Sequence, residues 1–176
     1  MRLTLFIGHM IMFLLGNSQS IENVRKAFHE AVLKPEVSRD FHAYMLKSQN
    51  SSPTIRAYRA VSEAMLAQVL WNPFSKLSQV KKYQREMEIA IKESASSIEI
   101  RFLRLAIEYN LPSFLGMSQH IEEDLDMILR NLSSVSSMNL DPGYSQYIYY
   151  FLESTGLCSS DQMLAMKQTL ENQASF

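Results

Sequence analysis

Two arginines in the middle of the chain, Arg101 and Arg104, are the side chains best placed for chemistry. They are three residues apart, so a helix would hold both guanidinium groups about one turn apart on one face. Two guanidiniums at that spacing can clamp a carboxylate or a phosphate, and Glu99 lies beside them. The alternative interpretation is structural. In it, Arg104 pairs with Glu108, and Glu99 exchanges capping hydrogen bonds with Ser96 at the start of the helix.

A group of tyrosines near the C-terminus is the second candidate for a binding surface. Tyr147 and Tyr150 belong to an aromatic run that extends from Tyr144 to Phe151. Aromatic faces stack on sugars and on peptides when they are exposed, which would give these two side chains a binding role. The alternative is that the same run forms part of a hydrophobic core.

The histidines are the side chains to consider for a metal site. His29, His42 and His120 follow the N-terminal segment, and only His120 with Glu123 has the spacing that puts two ligands on one helical face. A third ligand would have to come from elsewhere in the fold. We therefore interpret the three histidines as surface residues and predict no metal.

No motif of a catalysed reaction accompanies these residues. The chain has no glycine-rich phosphate loop, no Gly-x-Ser-x-Gly nucleophile turn and no paired cysteines. Its single cysteine, Cys158, has no basic neighbour in the sequence that would activate the thiol, and we predict a buried structural side chain. The sequence therefore favours a non-enzymatic protein with no catalytic residue and no cofactor.

The composition is that of a globular helical domain. Of the 176 residues, 47% are hydrophobic and 20% are charged, and the chain has only 5 Gly and 5 Pro, too few for a protein built from many tight turns. The formal net charge is −1, without a basic arm, which argues against nucleic acid as a partner.

The stretch from Ser96 to Gly116 must position the two arginines, and its pattern predicts a buried helix. Its apolar residues fall on two faces: Ile98, Phe102, Leu105, Ala106 and Tyr109 on one, and Ile100, Leu103 and Ile107 on the other. Only Arg101, Arg104 and Glu108 form a continuous polar stripe, and it is narrow. A helix that is apolar over most of its circumference belongs in a core, so Leu103 is expected to be fully buried.

A hairpin of two long helices is predicted before this stretch. The first helix starts at Pro53 and runs to about Trp71, and the second runs from Phe74 to Glu93, with the break at Asn72-Pro73. The first carries a stripe of small residues: Ala57, Ala60, Ala64 and Ala67. The expected buried seam of the second is Phe74, Leu77, Val80, Tyr83, Met87 and Ala90.

The whole chain after residue 20 is predicted to be one all-α domain of antiparallel helical hairpins. Residues 21–50 form N-terminal helices, including one from Ile21 to Leu33 and a short one from Val37 to Ser48. Residues 53–132 form central hairpins, and residues 141–173 a C-terminal hairpin. We interpret the tyrosine-rich segment as helix rather than strand, because a cap precedes it and Gly156 follows it.

Residues 1–20 have the pattern of a secretory signal peptide. Arg2 precedes an apolar run from Leu3 to Leu15, and small residues at Ser18 and Ser20 fit a cleavage site. The run is short for a transmembrane helix, which needs about 20 residues. We predict export to the periplasm or the extracellular space, with no stable membrane insertion after cleavage; the alternative is that the apolar run stays as an anchor.

The middle of the chain, roughly Tyr58 to Leu132, resembles an uncharacterised family of small exported bacterial helical proteins. Three motifs carry the resemblance: Asn72-Pro73, then Glu99-Ile-Arg101-Phe-Leu-Arg104, then Asn110-x-Pro112-x-x-Leu115-Gly116. It implies helices and export, and it implies no activity. Tyr58 to Ala90 also resembles helical hairpins of the tetratricopeptide type, so the packing expected is an irregular bundle or a short solenoid of that type.

These observations together predict a protein that acts by binding. The most direct hypothesis is an exported helical protein that contacts or scaffolds another protein of the cell envelope through a groove between hairpins. The alternative is a small-ligand-binding protein or an enzyme with a pocket near Arg101 and Arg104. Glu99, Tyr147 and Tyr150 are the further candidate binding residues.

Overall fold

The computed structural model describes residues 20–112, 115–132 and 142–173, and these residues form helices and connecting turns without any strand. The helices are α1 (Ile21–Leu33), α2 (Ser38–Leu46), α3 (Pro53–Gln68), α4 (Pro73–Glu93), α5 (Ile98–Asn110), α6 (Ile121–Leu132), α7 (Pro142–Thr155) and α8 (Ser160–Gln173). The predicted all-α class is therefore confirmed, and so is the helical interpretation of the tyrosine-rich segment in α7. Residues 1–19 of the predicted signal peptide lie outside the described residues.

Polar caps and prolines set the helix starts as the sequence indicates. Ser52 accepts a hydrogen bond from the Ile55 N–H at 3.4 Å, one residue before Pro53 opens α3. At the end of α7, Ser159 and Gln162 form a reciprocal capping box with bonds of 2.8 and 3.3 Å, which starts α8.

Two of the predicted helices have wrong boundaries. The first helix of the hairpin ends at Gln68 rather than near Trp71, because Pro73 and the capping role of Asn72 force the chain out of the α conformation, with ψ of 122° at Asn72. The short N-terminal helix runs from Ser38 to Leu46, after a 3₁₀ turn at Pro35–Val37, so it is shorter at both ends than expected.

Helix α5 lies between two hydrophobic clusters, and each of its two apolar faces contributes to one of them. Ile100 and Leu103 pack in a first core cluster with buried residues of α1 to α4, and Leu103 is completely buried. Ile98, Phe102 and Leu105 pack in a second core cluster with α6, α7 and α8. This central helix therefore joins the two halves of the molecule.

Helices α3 and α4 pack closely along most of their length. All four alanines of the predicted stripe are buried, and so are Val80, Tyr83, Met87 and Ala90 of the predicted seam. Phe74 does not follow the prediction. It is 84% exposed, because no described element covers that side of the first turn of α4, and Leu77 is only partly buried. Trp71, in the turn between the two helices, is 97% exposed.

Candidate functional site

The two arginines that sequence reasoning singled out are neutralised inside the protein. Asp124 of α6 is completely buried and accepts hydrogen bonds from Arg104 at 2.6 and 2.7 Å and from Arg101 at 3.0 Å. Arg101 also donates to Glu123 and, at 3.0 Å, to the carbonyl oxygen of Ala95. The clamp for a carboxylate therefore exists, but the carboxylate it holds belongs to the neighbouring helix.

The electrostatics of this cluster follow from its geometry. Burial disfavours the charged Arg104, but the hydrogen bonds and charge of Asp124 outweigh that effect, and the pKa of the guanidinium is raised. Hydrogen bonding to Arg101 lowers the pKa of Glu123. Both shifts favour the paired, ionised state that fastens α6 to α5.

Both structural assignments made from sequence for these residues are wrong. Arg104 pairs with Asp124 instead of Glu108, because the helix face that carries it is covered by α6. The cap of α5 is Ser97, whose hydroxyl accepts from the Ile100 N–H at 3.3 Å, so Glu99 is not part of a capping box with Ser96.

Glu99 instead forms a buried network with other helices. Arg25 of α1 donates to its two carboxylate oxygens at 2.8 and 2.7 Å, and the Tyr58 hydroxyl of α3 donates at 2.7 Å. The Tyr144 hydroxyl of α7 lies 3.2 Å from that of Tyr58, and the Arg25 guanidinium lies 5.0 Å from the centre of the Tyr144 ring. Burial raises the pKa of both tyrosines well above the ordinary value. The network ties four helices together at the junction of the two core clusters.

The two candidate tyrosines lie on α7 and form no common site with the arginines. Tyr147 is half-buried and packs edge-on against Phe102 and His29, with ring centroids 5.6 and 5.5 Å apart. Tyr150 is exposed, and its hydroxyl accepts a hydrogen bond from Gln146 at 3.2 Å. The five predicted binding residues therefore do not form one site. Arg101 and Arg104 belong to one buried ion-pair network and Glu99 to another, while the two tyrosines lie on α7.

His120 has metal-ligand spacing with Glu123 in the sequence, but it pairs with another carboxylate. Its Nδ1 lies 2.8 Å from Oε1 of Glu108, and its backbone N–H donates to the other carboxylate oxygen at 2.9 Å. No group of three metal-ligating side chains occurs in the part of the chain that the structure describes. The contact closes the turn between α5 and α6.

His42 departs from the surface position predicted for it and lies between a serine and a glutamate. Its Nδ1 is 3.1 Å from the Ser62 hydroxyl, and its Nε2 is 3.9 Å from Glu63. The order of groups is that of a catalytic triad, but Ser62 is completely buried and its hydroxyl donates to the Arg59 carbonyl oxygen at 2.7 Å. A substrate cannot reach this serine, so the cluster supports packing of α2 on α3.

Cys158 is half-buried, and burial raises the pKa of its thiol. The shift disfavours the reactive thiolate. The side chain was predicted to be buried, and its burial is only partial.

The described residues form an apolar surface groove; a groove between hairpins was predicted from the sequence, but its position and lining residues were not. The groove has a volume of about 650 Å³ and lies between the end of α3, the start of α4 and the end of α5 with the segment that follows. The lining residues are Ala64, Ala67, Gln68, Pro73, Lys76, Leu77, Val80, Ile107, Asn110, Leu111, Pro112 and Leu115. A mostly apolar concavity of this size with a few polar groups is typical of a binding site.

Two exposed aromatic residues are close in sequence to residues that line this groove. Trp71 lies in the turn between the lining residues Gln68 and Pro73, and Phe74 directly follows Pro73. Large aromatic side chains are rarely left this exposed, and they are enriched at sites where proteins bind one another. The groove and the two aromatic residues together are called the α3–α4 groove below.

Comparison with protein-family models, curated proteins and solved structures finds no match for this chain. None of the helices in the described ranges combines the length and hydropathy needed to cross a membrane.

Proposed function

We propose that this protein is an exported, non-enzymatic binding protein that holds another protein of the cell envelope in the α3–α4 groove. The observation that carries the proposal is the groove itself: about 650 Å³ of mostly apolar space, with the exposed Trp71 and Phe74 close in sequence to its lining residues Gln68 and Pro73. Buried aromatic side chains supply much of the binding energy at protein interfaces, so two exposed ones close in sequence to the lining of an apolar recess are well placed to be covered by a partner.

We favour a binding role over catalysis because the side chains that could take part in a reaction already pair with one another or are inaccessible. Arg101 and Arg104 donate to Asp124, Glu99 accepts from Arg25 and Tyr58, and Ser62 is inaccessible. For the same reason we do not propose the alternative of a ligand pocket at Arg101 and Arg104. The groove is lined on α5 by Ile107 and Asn110, and neither arginine is among its lining residues.

Export remains part of the proposal and is supported by the N-terminal pattern of Arg2, the apolar run Leu3 to Leu15 and the small residues Ser18 and Ser20. N-terminal sequencing of the protein isolated from its host tests it. A mature chain that starts close to Ile21 in the envelope fraction supports export, and a cytosolic chain that starts at Met1 contradicts it.

Site-specific photo-crosslinking in the host tests the binding role. A photoreactive residue at Leu77, which lines the groove and is partly exposed, should yield a discrete adduct with another protein. The matched control is the same residue at Lys92, an exposed position near the other end of α4. An adduct at Leu77 and none at Lys92 supports the proposal, whereas equal yields or a crosslinked lipid contradict it.

A further inference from the structure

The hairpin that forms most of the groove differs in charge from the rest of the protein. Residues 64–85 contain four basic side chains and no acidic one: Lys76, Lys81, Lys82 and Arg85. Because the whole chain has a formal net charge of −1 and this segment carries +4, the remainder carries −5. Lys81, Lys82 and Arg85 are exposed, and of these three Lys82 lies 4.0 Å from a carboxylate oxygen of Glu63 on α3.

Lys76 brings this charge into the groove itself, where it is the one charged side chain among the described lining residues. Its ammonium group makes a long hydrogen bond of 3.5 Å to the carbonyl oxygen of Gln68 and pairs with no carboxylate of the described chain. On the opposite wall, the side-chain amide of Asn110 donates a hydrogen bond to the Ala106 carbonyl oxygen at 2.8 Å. A negatively charged group beside the apolar space would therefore find Lys76 available.

The shape of the groove indicates what kind of apolar ligand it accepts. Along α4 the lining extends from Pro73 to Val80, which is about 10 Å at the rise of an α-helix. That length holds the side chains of about two helical turns, the i, i+3, i+4 and i+7 anchors of an amphipathic helix. A bilayer surface contacts protruding side chains and does not fill a recess, and an extended long acyl chain exceeds this length.

From the charge and the shape we infer that the occupant of the α3–α4 groove is an acidic amphipathic helix of the partner protein. Its apolar residues fill the groove, Trp71 and Phe74 cover its flank, and its carboxylates face Lys76 and the basic surface of α4. This inference rests on the proposed function and specifies the chemistry of the partner.

The protein accepts a helix of the same kind within its own fold. Helix α6 begins Ile121-Glu-Glu-Asp124 and is acidic and amphipathic; it docks on α5 through carboxylates that meet Arg101 and Arg104, while Ile128 is completely buried in the second core cluster. Apolar anchoring combined with carboxylate–cation pairing is therefore a mode of helix packing that this structure already contains.

Trp71 provides the readout for a direct test, since it is the only tryptophan and is 97% exposed. The protein purified from its host is titrated with a synthetic helical peptide of about 18 residues, with leucines at i, i+3, i+4 and i+7 and glutamates on the flanking positions. We expect a saturable blue shift of the Trp71 emission. A second peptide with lysines in place of the glutamates should bind about tenfold more weakly or worse, because like charges repel across the interface.

Two matched variants on α4 test whether the acidic peptide binds at the groove. Lys76→Glu should weaken binding of the acidic peptide by about tenfold, since it reverses the charge inside the groove. Lys92→Glu makes the same charge change at an exposed position near the other end of the helix and should leave the affinity unchanged. Circular dichroism of both variants verifies that they are folded.

Three results would overturn the inference: equal affinity for the two peptides, equal effects of the two variants, or an emission shift with anionic phospholipid vesicles and none with the acidic peptide. Photo-crosslinking at Leu77 separates this inference from the proposed function. If Leu77 captures a partner protein but the acidic peptide binds no better than the basic one, the acidic helix is wrong and the binding role stands. If neither experiment shows binding, both fail.

Discussion

Arg25 and Glu99 are 74 residues apart in the sequence and form a two-pronged ion pair with bonds of 2.8 and 2.7 Å. The pair joins the first helix of the described chain to the central one, and Tyr58 adds a third hydrogen bond to the same carboxylate. Arg25 retains 19% side-chain exposure and Glu99 8%, so the pair is largely withdrawn from water. Such a pair fixes which helix packs where, because either partner alone would be a buried, uncompensated charge.

Glu99→Gln tests the importance of that pair. The amide keeps the shape of the side chain but removes the charge, and Arg25 is left without its counter-ion. We expect a loss of about 2–4 kcal/mol in the free energy of unfolding, somewhat below the range for a completely buried pair because Arg25 reaches water. Urea denaturation measures it. Glu30→Gln, in an exposed pair with Lys34 on α1, should cost at most about 0.5 kcal/mol. Similar losses in the two variants would contradict the structural role of Glu99.

Asp124→Asn tests the attachment of α6 to α5. Asp124 is completely buried between Arg101 and Arg104, so the amide would leave two guanidinium groups short of negative charge. The expected loss is about 3–5 kcal/mol in the free energy of unfolding. Asp126→Asn is the matched substitution on the same helix, where the exposed partner is Arg130, and it should cost no more than about 0.5 kcal/mol. Chemical denaturation of both variants measures the two losses. If Asp124→Asn is nearly neutral, α6 does not dock on α5 through this carboxylate.

The fold could be predicted from the sequence because its causes are local. The repeat of apolar residues at three and four positions gives the helices, and the caps at Ser52, Asn72 and Ser159 give their starts. The two apolar faces of α5 predicted that the helix is buried, and their residues Leu103 and Phe102 lie in separate clusters.

The partners of the candidate residues could not be predicted, because they are set by tertiary packing. Arg104 has a carboxylate four residues away in Glu108, and the sequence alone offers no reason to prefer Asp124, which is 20 residues away. The three carboxylates at the start of α6 suit the helix dipole, and this explanation hid the second role of two of them, Glu123 and Asp124, as partners of the arginines.

The position and lining of the groove could not be predicted for a related physical reason. Phe74 and Leu77 have the spacing of core residues on α4, and periodicity reports only that a face is apolar. Whether that face is covered depends on where the neighbouring helices end. Here α3 ends at Gln68 and α5 at Asn110, and the apolar face continues beyond them.

Leu103→Ala tests the central position of α5. Leu103 is completely buried in the first core cluster, so the substitution removes apolar contacts and leaves a cavity. The expected loss is about 2–5 kcal/mol in the free energy of unfolding. Leu164→Ala, on the exposed side of α8, is the control and should change stability by less than about 0.5 kcal/mol. If urea midpoints of the two variants coincide, α5 does not have the central role assigned to it.

The stability of the protein should fall steeply at alkaline pH, because three buried tyrosines must stay protonated in the folded state. Burial raises the pKa of Tyr58, Tyr83 and Tyr144 above the ordinary value of 10.0. In the unfolded chain the same groups ionise near that value. Their contribution is therefore fully present below pH 10.0 and decreases as the pH rises above it toward the folded-state pKa values.

Tyr83→Phe isolates one of these groups. Its hydroxyl makes a long bond of 3.4 Å to the Arg104 carbonyl oxygen, so its removal alters few other interactions. Above pH 10, the free energy of unfolding should decrease with pH less steeply for the variant than for the unsubstituted protein. The two slopes should differ by about 1.4 kcal/mol per pH unit, which is the contribution of one proton. Urea denaturation at a series of pH values gives the slopes, and an unchanged slope in Tyr83→Phe would show that this phenol ionises without unfolding.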